Sequence, residues 1–236
     1  MWPAETRRQW GDKGMRRDSL VAAALVTVFS AAGVALPAAA SATTATTKPA
    51  NVIRNPGAEA GPGSADGSTV PVPSWTVKKG SSFTAVQYGA SGGFPTSASP
   101  GPKSRGANFF AGGPDARANA QTATQTDGLA AYAGVIAAGA TFTLEGYLGG
   151  FATQADHVTV TVTWENSSGV TLGTAVIGPV TQSQRHGVTG LLHRSLTGSV
   201  PAGSAKALVT IKCVRNSGAY NDGYADNLSL TIVAAS

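Results

Sequence analysis

Apolar and polar residues alternate with a period of two along much of this chain. In residues 141–148 apolar residues alternate with mostly polar ones, and in 158–165 three valines and a tryptophan alternate with threonines and Glu165. One apolar face and one threonine-rich face are typical of antiparallel strands that lie half on a core and half in solvent. Shorter runs predict further strands at 51–54, 74–77, 83–88, 172–180, 190–200, 207–214 and 228–233. The predicted fold is all-β: a two-sheet antiparallel β-sandwich, of the jelly-roll kind.

Turn-forming residues separate the predicted strands. The clearest hairpin turn is Asn166-Ser167-Ser168-Gly169. Residues 61–73 and 89–106 are rich in Gly, Pro and Ser and have no periodicity. Loops as long as the second of these are uncommon in compact domains and are often functional or mobile. A short helical turn is expected within 129–138, where alanines cluster, because the glycines there disfavour a longer helix.

The first 42 residues have the features of a secretory signal. Two arginines at 16–17 precede an apolar stretch from Leu20 to Leu36, and small residues at 38–42 follow Pro37. This is the order of charge, apolar core and cleavage site that directs export, so we expect cleavage after Ala42. The alternative is a retained transmembrane anchor, because the apolar stretch approaches the ~20 residues that span a bilayer.

The signal defines the expected organisation of the whole chain. Residues 1–42 form the signal region, 43–50 a linker, and 51–236 the β-sandwich domain. Met15 lies directly before the arginine pair, so residues 1–14 can be read as an upstream start-site extension. The mature protein is expected outside the cell and free of the membrane, and its export route stays open.

Charge and composition narrow the classes of partner. From Thr43 onward the chain has twelve basic and nine acidic residues, a net charge of +3 against +5 for the whole chain. The basic residues are scattered, whereas nucleic-acid binding needs about six to ten phosphate contacts from a concentrated basic surface. Nucleic acid is therefore excluded as the expected partner. Neutral polar residues supply most of the surface, because charged residues make up only 12% of the chain.

Cys213 is the single cysteine of the chain, so no intramolecular disulfide can form. In residues 206–213 the period-two pattern puts its side chain on the same face as Val209 and Ile211. We therefore predict a buried, unreactive thiol. Intermolecular pairing or a reactive thiol is the alternative for an odd cysteine in a secreted protein.

Two short acidic motifs lie at opposite ends of the predicted domain. The first is Asn55-Pro56-Gly57-Ala58-Glu59, and the second spans residues 220–227 and contains Asp222 and Asp226. If the first and last strands pair, Glu59 comes to lie beside Asp226, and two hard carboxylate ligands share one place. Asp222 is an alternative ligand, and ordinary surface carboxylates are the alternative interpretation of all three.

With Trp75 following the first motif and Ala225-Asp226-Asn227-Leu228-Ser229-Leu230 closing the chain, residues 51–233 resemble the galactose-binding-like jelly roll. This fold occurs in many carbohydrate-binding modules and in the F-box-associated sugar-binding domain. The resemblance implies a structural calcium ion bound by an early glutamate and by an aspartate at the head of the last strand. Glu59 and Asp226 match those two positions.

Four aromatic residues are candidates for ligand binding. Phe109 and Phe110 are adjacent on a probable strand, so their side chains point to opposite faces, one to the core and the other to a covering loop, a partner or solvent. Tyr220 and Tyr224 lie in a Gly- and Asn-rich segment, where an aromatic body with a polar tip suits a sugar. Packing over a sheet edge is the alternative for both tyrosines. Trp75 and Trp164 are assigned to the core.

Three features are compatible with catalysis but do not favour it. Gly89-Ala90-Ser91-Gly92-Gly93 fits the nucleophile-elbow pattern, yet Phe94-Pro95 follows where that motif needs a helix. The three histidines, at 157, 186 and 193, lack the spacing of a zinc site. Asp222 and Asp226 could act as a glycosidase pair only at a separation of about 5 to 9.5 Å.

The expected function is that of a secreted, non-catalytic carbohydrate-binding module with a structural calcium site. A glycan or polysaccharide is the expected partner, bound by Tyr220, Tyr224 and one of Phe109 and Phe110. A secreted structural or adhesive module that recognises protein is the alternative, and a hydrolase is third. The particular sugar and the oligomeric state stay open.

Overall fold

Two five-stranded antiparallel sheets form the folded part of the chain. The structure is a computed structural model and describes residues 48–115 and 119–235, so the predicted signal and most of the linker lie outside the described residues. The elements in chain order are β1 (Thr76–Val77), β2 (Thr84–Gln87), β3 (Asn108–Gly113), β4 (Ala120–Gly128), a 3-10 turn (Ala130–Tyr132), α1 (Ala133–Ala137), β5 (Ala140–Gly150), β6 (His157–Glu165), β7 (Thr171–Ile177), β8 (Gly190–Ser199), β9 (Lys206–Val214) and β10 (Asn221–Ala234).

The strand order is β1-β4-β9-β6-β7 in the first sheet and β2-β3-β10-β5-β8 in the second. The predicted all-β, two-sheet antiparallel sandwich is confirmed. Every pairing between named strands is antiparallel within the described residues, and the last strand, β10, lies at the centre of its sheet. No helix in this part of the chain is long and apolar enough to cross a bilayer.

The core lies between the two sheets and uses the apolar faces that the sequence pattern defines. Trp164 and Cys213 are fully buried there, as predicted, and Trp75 is nearly so. Burial raises the pKa of the Cys213 thiol far above its usual range, which keeps it protonated and unreactive. The predicted helical turn is also confirmed, since the 3-10 turn and α1 occupy residues 130–137.

The strand predicted at residues 51–54 was wrong, and β4, at Ala120–Gly128, was not predicted. Residues 51–54 bend along β10 without forming a strand; Val52 N–H donates to Leu230 O at 2.8 Å. The sequence analysis missed β4 because its inward-facing side chains are mostly polar: Gln121, Gln125 and Asp127 are buried. Gln125 satisfies its amide by bonding the Arg54 and Ser74 backbones, so it closes one end of the sandwich in place of an apolar residue.

The outer face of the second sheet carries a smaller apolar cluster of its own, which we call the outer cluster. It consists of Val86, Phe94, Phe109, Ala111, Leu191 and Tyr224. The long loop between β2 and β3 folds over this face: Phe94 packs into the cluster, and Leu191 N–H donates to Pro100 O at 2.9 Å. The loop therefore hides a face that would otherwise be in solvent.

Candidate functional site

The expectation that Tyr224 and one of the two phenylalanines are exposed is wrong. Phe110 lies in the main core, edge-on to Trp75 with ring centroids 5.5 Å apart. Phe109 and Tyr224 pack edge-on at 5.1 Å in the outer cluster, and all three side chains have no exposed surface. A ligand cannot reach them: Phe110 lies in the main core, and the β2–β3 loop covers the face that carries Phe109 and Tyr224.

Tyr220 has a different environment, in the wall of an open cleft at the end of the sandwich where β10 begins. Its hydroxyl donates to Gly67 O at 3.1 Å, and its ring packs edge-on against Phe94 with centroids 5.1 Å apart. The cleft has a volume of about 340 Å³. We call it the aromatic cleft, and its lining residues are Asp66, Gly92, Phe94, Phe151, Gln154, Ala219, Tyr220 and Asp222.

Two glycines allow the aromatic rings of the cleft to approach the backbone. Gly67 has φ +83°, and a Cβ there would lie 2.5 Å from Phe94 Cζ. Gly93 has φ +85°, and a Cβ there would lie 2.9 Å from a carbon of the Phe151 ring. The sequence analysis missed Phe94 and Phe151. The available signal was an aromatic residue directly after a glycine pair, which occurs at both places.

Two buried charged residues fix the loops that carry the cleft. The Asp156 carboxylate accepts from the backbone N–H groups of Asn216, Ser217 and Asp222 at 2.7 to 3.0 Å. Arg185 donates to the carbonyls of Ala152, Gln154 and Val188 at 2.8 to 2.9 Å. Because these bonds are charge-assisted, they hold the loop backbones in place before any ligand arrives.

The polar groups of the cleft are mainly acceptors. Asp66 accepts from the Ser64 hydroxyl and the Ser68 N–H, and hydrogen bonds from Ser68 and Ser64 lower its pKa to about 2. Burial raises the pKa of Asp222 to about 6, although the Tyr224 hydroxyl donates to it and the Arg185 charge lies close. Gln154 Oε1 is buried and accepts no hydrogen bond within the described residues.

Glu59 and Asp226 come together at a second place, around Gly57. A Cβ on Gly57 would lie 3.1 Å from Asp226 Oδ1, 3.4 Å from Asn227 Oδ1 and 3.8 Å from Glu59 Cγ, so the glycine leaves room for these side chains. Asp226 is fully buried and accepts from the Tyr88 hydroxyl at 2.7 Å. Glu59 accepts from the backbone N–H groups of Ala107 and Asn108.

At this second place the buried Asp226 carboxylate has little positive charge near it to compensate its own. Burial raises the pKa of Asp226 to about 7; the Glu59 charge adds to this, and Arg105, which lies over the Tyr88 ring, opposes it. No Lys, Arg or His among the described residues forms an ion pair with Asp226. These residues also contain no group of three or more His, Cys, Asp and Glu able to hold a metal.

The side-chain atoms around Gly57 include oxygens of the kind that a hard cation takes as ligands. Calcium takes six to eight oxygen ligands, several of which can be amide carbonyls or water, so two carboxylates suffice when such oxygens are near. The backbone here is unusual as well: Asn55, Ala58 and Asn227 have φ values of 47°, 62° and 47°. Non-glycine residues with left-handed backbone conformations are uncommon and concentrate at active sites and ligand-binding sites.

A broader groove crosses the outer surface of β5, β8 and β10. It is lined in part by Lys48, Glu145, Tyr147 and His193 and has a volume of about 550 Å³. His193 Nε2 lies 3.4 Å from Glu145 Oε2, and the rings of His193 and Tyr147 are 5.2 Å apart. It offers one aromatic ring besides histidine, whereas the aromatic cleft offers three.

The features compatible with catalysis are not assembled into a site. Ser91 lies among turns between β2 and β3, without the strand-to-helix turn of a nucleophile elbow. Asp222 and Asp226 are four residues apart in β10, which puts them about 13 Å apart along a strand, beyond the range of a glycosidase pair.

Comparisons with known proteins extend the description of the fold. No protein-family model matches the chain, and no curated protein matches its sequence. Among solved structures, the enzymatically active domain of tailspike protein 4 of bacteriophage CBA120 is similar at 14% identity and a TM-score of 0.45, over 78% of this chain and 21% of that one. This chain thus spans about a fifth of the length of the tailspike chain.

Two smaller structures are similar over most of their own length. A family 16 carbohydrate-binding module has 16% identity and a TM-score of 0.42, over 66% of this chain and 89% of that one. A xylan-binding domain from Paenibacillus barcinonensis has 15% identity and a TM-score of 0.38, over 74% and 94%. Carbohydrate-binding modules are thus among the solved structures that this chain resembles.

Proposed function

We propose that this protein is a carbohydrate-binding module that holds a sugar ring in the aromatic cleft. The observation that carries the proposal is the combination of Phe94, Phe151 and Tyr220 with the polar groups of Asp66, Gln154 and Asp222 in one open depression. A sugar has apolar C–H faces and a rim of hydroxyl donors. Aromatic rings match the faces, and carboxylate and amide oxygens match the hydroxyls.

The fixed backbone of the cleft supports this proposal. The bonds from Arg185 and to Asp156 hold the flanking loops, and the Tyr220 hydroxyl is already bonded to Gly67 O. A ligand therefore loses little affinity to the ordering of the site.

A glycan array followed by calorimetry tests the proposal. Tyr220→Ala should weaken binding about tenfold or more, which corresponds to ~1.4 kcal/mol, because it removes one wall of the cleft. Tyr220→Phe keeps the ring and should bind within a few fold of the wild type, and Tyr147→Ala, in the broader groove, should bind normally. Absence of binding to every glycan contradicts the function; loss of binding in Tyr147→Ala but not in Tyr220→Ala contradicts the site.

We also propose that Glu59 and Asp226 hold a calcium ion that stabilises the fold. The support is the buried Asp226 carboxylate, which has no ion-pair partner among the described residues, the neighbouring Glu59, and the room that Gly57 leaves for their oxygens. Terbium is a luminescent substitute for calcium. Tyr88, whose hydroxyl touches Asp226, should sensitise terbium emission, and Asp226→Asn should abolish the signal. No sensitised emission from the wild type contradicts the site.

Export and a non-catalytic role complete the proposal. When the full chain is produced in a secreting bacterial host, the protein recovered from the medium should begin at Thr43, as its N-terminal sequence will show. Retention of the chain in the membrane fraction contradicts cleavage. Incubation of the purified protein with the glycans it binds should leave their lengths unchanged, which chromatography of the products checks.

A structural or adhesive module that recognises protein is the second candidate. The observation in its favour is the edge strand β7, where Leu172 and Val176 are 38% and 45% exposed. Exposed apolar side chains on an edge strand favour pairing with another chain. Sedimentation velocity over a range of concentrations tests self-association through this edge, which Leu172→Asn should weaken. A monomer at every concentration counts against it.

A further inference from the structure

The acidic groups of the aromatic cleft indicate which class of sugar it takes. Among its eight lining residues, Asp66 and Asp222 are carboxylates, and none is basic. Asp222 is only 6% exposed, and while its Oδ1 accepts from the Tyr224 hydroxyl, its Oδ2 accepts no hydrogen bond within the described residues. A carboxylate oxygen of a largely buried residue that borders an open cleft and accepts no hydrogen bond from the described residues is suited to a charged donor from a ligand.

The charges behind the cleft do not neutralise these carboxylates. Arg185 lies close to Asp222, but its terminal N–H groups donate to three backbone carbonyls. Asp156 adds another negative charge on the same side. Asp66 is held as an anion by hydroxyl and N–H donors alone. The described charged groups around the cleft therefore comprise the carboxylates of Asp66, Asp156 and Asp222, the Arg185 guanidinium, and the Arg215 guanidinium, which donates to Gly218 O beside Ala219. The carboxylates outnumber the guanidinium groups.

The aromatic walls favour the same kind of ligand. Phe94, Phe151 and Tyr220 surround the cleft, and the negative faces of aromatic rings attract a cation. Carboxylates and aromatic rings together recognise a positively charged amine, and they disfavour a uronic acid because like charges repel.

We infer that the cleft recognises an amino sugar with a free, protonated amine, such as a glucosamine unit of a deacetylated polysaccharide. This inference rests on the proposed function and names the ligand class of the same site. The ammonium group lies between Asp66 and Asp222, while a C–H face of the sugar ring stacks on an aromatic wall. Acetylation of the amine removes both the charge and two donor hydrogens, so the N-acetylated sugar loses this contact.

The test is calorimetry with the full mature chain and three oligosaccharides of one length: glucosamine oligomers, N-acetylglucosamine oligomers and glucose oligomers. Glucosamine oligomers should bind about tenfold or more tightly than the other two, and added salt should reduce that preference. Asp222→Asn and Asp66→Asn should each bring the ratio of the affinity for glucosamine oligomers to that for the other two oligomers close to one. Since Asp66 is exposed, its variant is expected to fold even if the buried variant does not. Tyr220→Ala should weaken all three ligands alike.

The outcomes separate the two proposals. If neutral or N-acetylated oligomers bind in the cleft as tightly as glucosamine oligomers, the amino-sugar inference fails and the carbohydrate-binding function stands. A preference that persists unchanged in both aspartate variants also overturns the inference. If no oligosaccharide binds while a lysine peptide does, the cleft is a site for cationic peptides and both proposals fail.

Discussion

The buried carboxylate of Asp226 makes the stability of this protein depend on pH in a direction opposite to that of most aspartates. Its pKa is about 7 in the folded chain against an ordinary value of 3.8, mainly because of burial. The folded state therefore binds the proton more tightly than the unfolded state does. The resulting stability is complete below pH 4 and is lost as pH rises through 7.

The size of the change in the free energy of unfolding follows from the pKa shift of Asp226. A difference of about three pKa units at ~1.36 kcal/mol per unit gives about 4 kcal/mol in total, of which about 3 kcal/mol is lost between pH 5 and pH 8. Asp226 is fully buried, so solvent does not screen the effect as it would at a surface. For a domain of this size the loss corresponds to a fall of roughly 6 to 12 °C in melting temperature.

Asp226→Asn is the matched variant, because an asparagine has the same shape, does not titrate, and can still bond Tyr88 and Asn227. Urea unfolding with a chelator present, at a series of pH values, gives the free energy of unfolding of both proteins. The difference between them isolates Asp226 from the other titrating groups, which include Asp222. Parallel pH profiles for the two proteins would refute the reasoning about burial.

Calcium should reverse the loss of stability that the rise in pH causes. The ion binds the charged carboxylate, so calcium competes with the proton and its affinity rises with pH through about 7. At a hundredfold excess over its dissociation constant it adds about 2.7 kcal/mol to the free energy of unfolding at pH 8. The wild type should therefore regain most of its lost stability in calcium, and Asp226→Asn should not. A wild type that is indifferent to calcium at pH 8 rules out the ion without affecting the burial argument.

Three further predictions concern packing. Phe109→Ala should lower the free energy of unfolding by about 3–5 kcal/mol in chemical denaturation, because it empties the centre of the outer cluster; a loss below 1 kcal/mol would contradict that packing. Gly67→Ala should cost about 1–3 kcal/mol more than Gly169→Ala, since both glycines have φ near +80° but only Gly67 lies against Phe94. Equal losses would mean that backbone strain alone matters there. Cys213 should react with a thiol reagent only in denaturant, and rapid labelling of the native protein would contradict its burial.

The local pattern of residues was enough to predict the two layers of the fold. Strands β5 and β6 put one apolar face on the core, and period-two alternation is a local property that needs no knowledge of the partner strand. The burial of Trp164 and Cys213 follows from the same pattern. The proximity of Glu59 and Asp226 was also predictable, because it needs only that the two ends of the domain meet.

The aromatic residues that a ligand can reach could not be predicted from local pattern, because their exposure depends on how the loops fold back on the sheets. Alternation correctly put Phe109 and Phe110 on opposite faces, but it could not show that the aperiodic β2–β3 loop would cover the outer face and bury Phe109 and Tyr224. The aromatic cleft likewise depends on contacts between residues far apart in the chain, such as Asp156 with Asn216 and Tyr220 with Gly67. Loop positions are set by such long-range hydrogen bonds, which leave no periodic trace in the sequence.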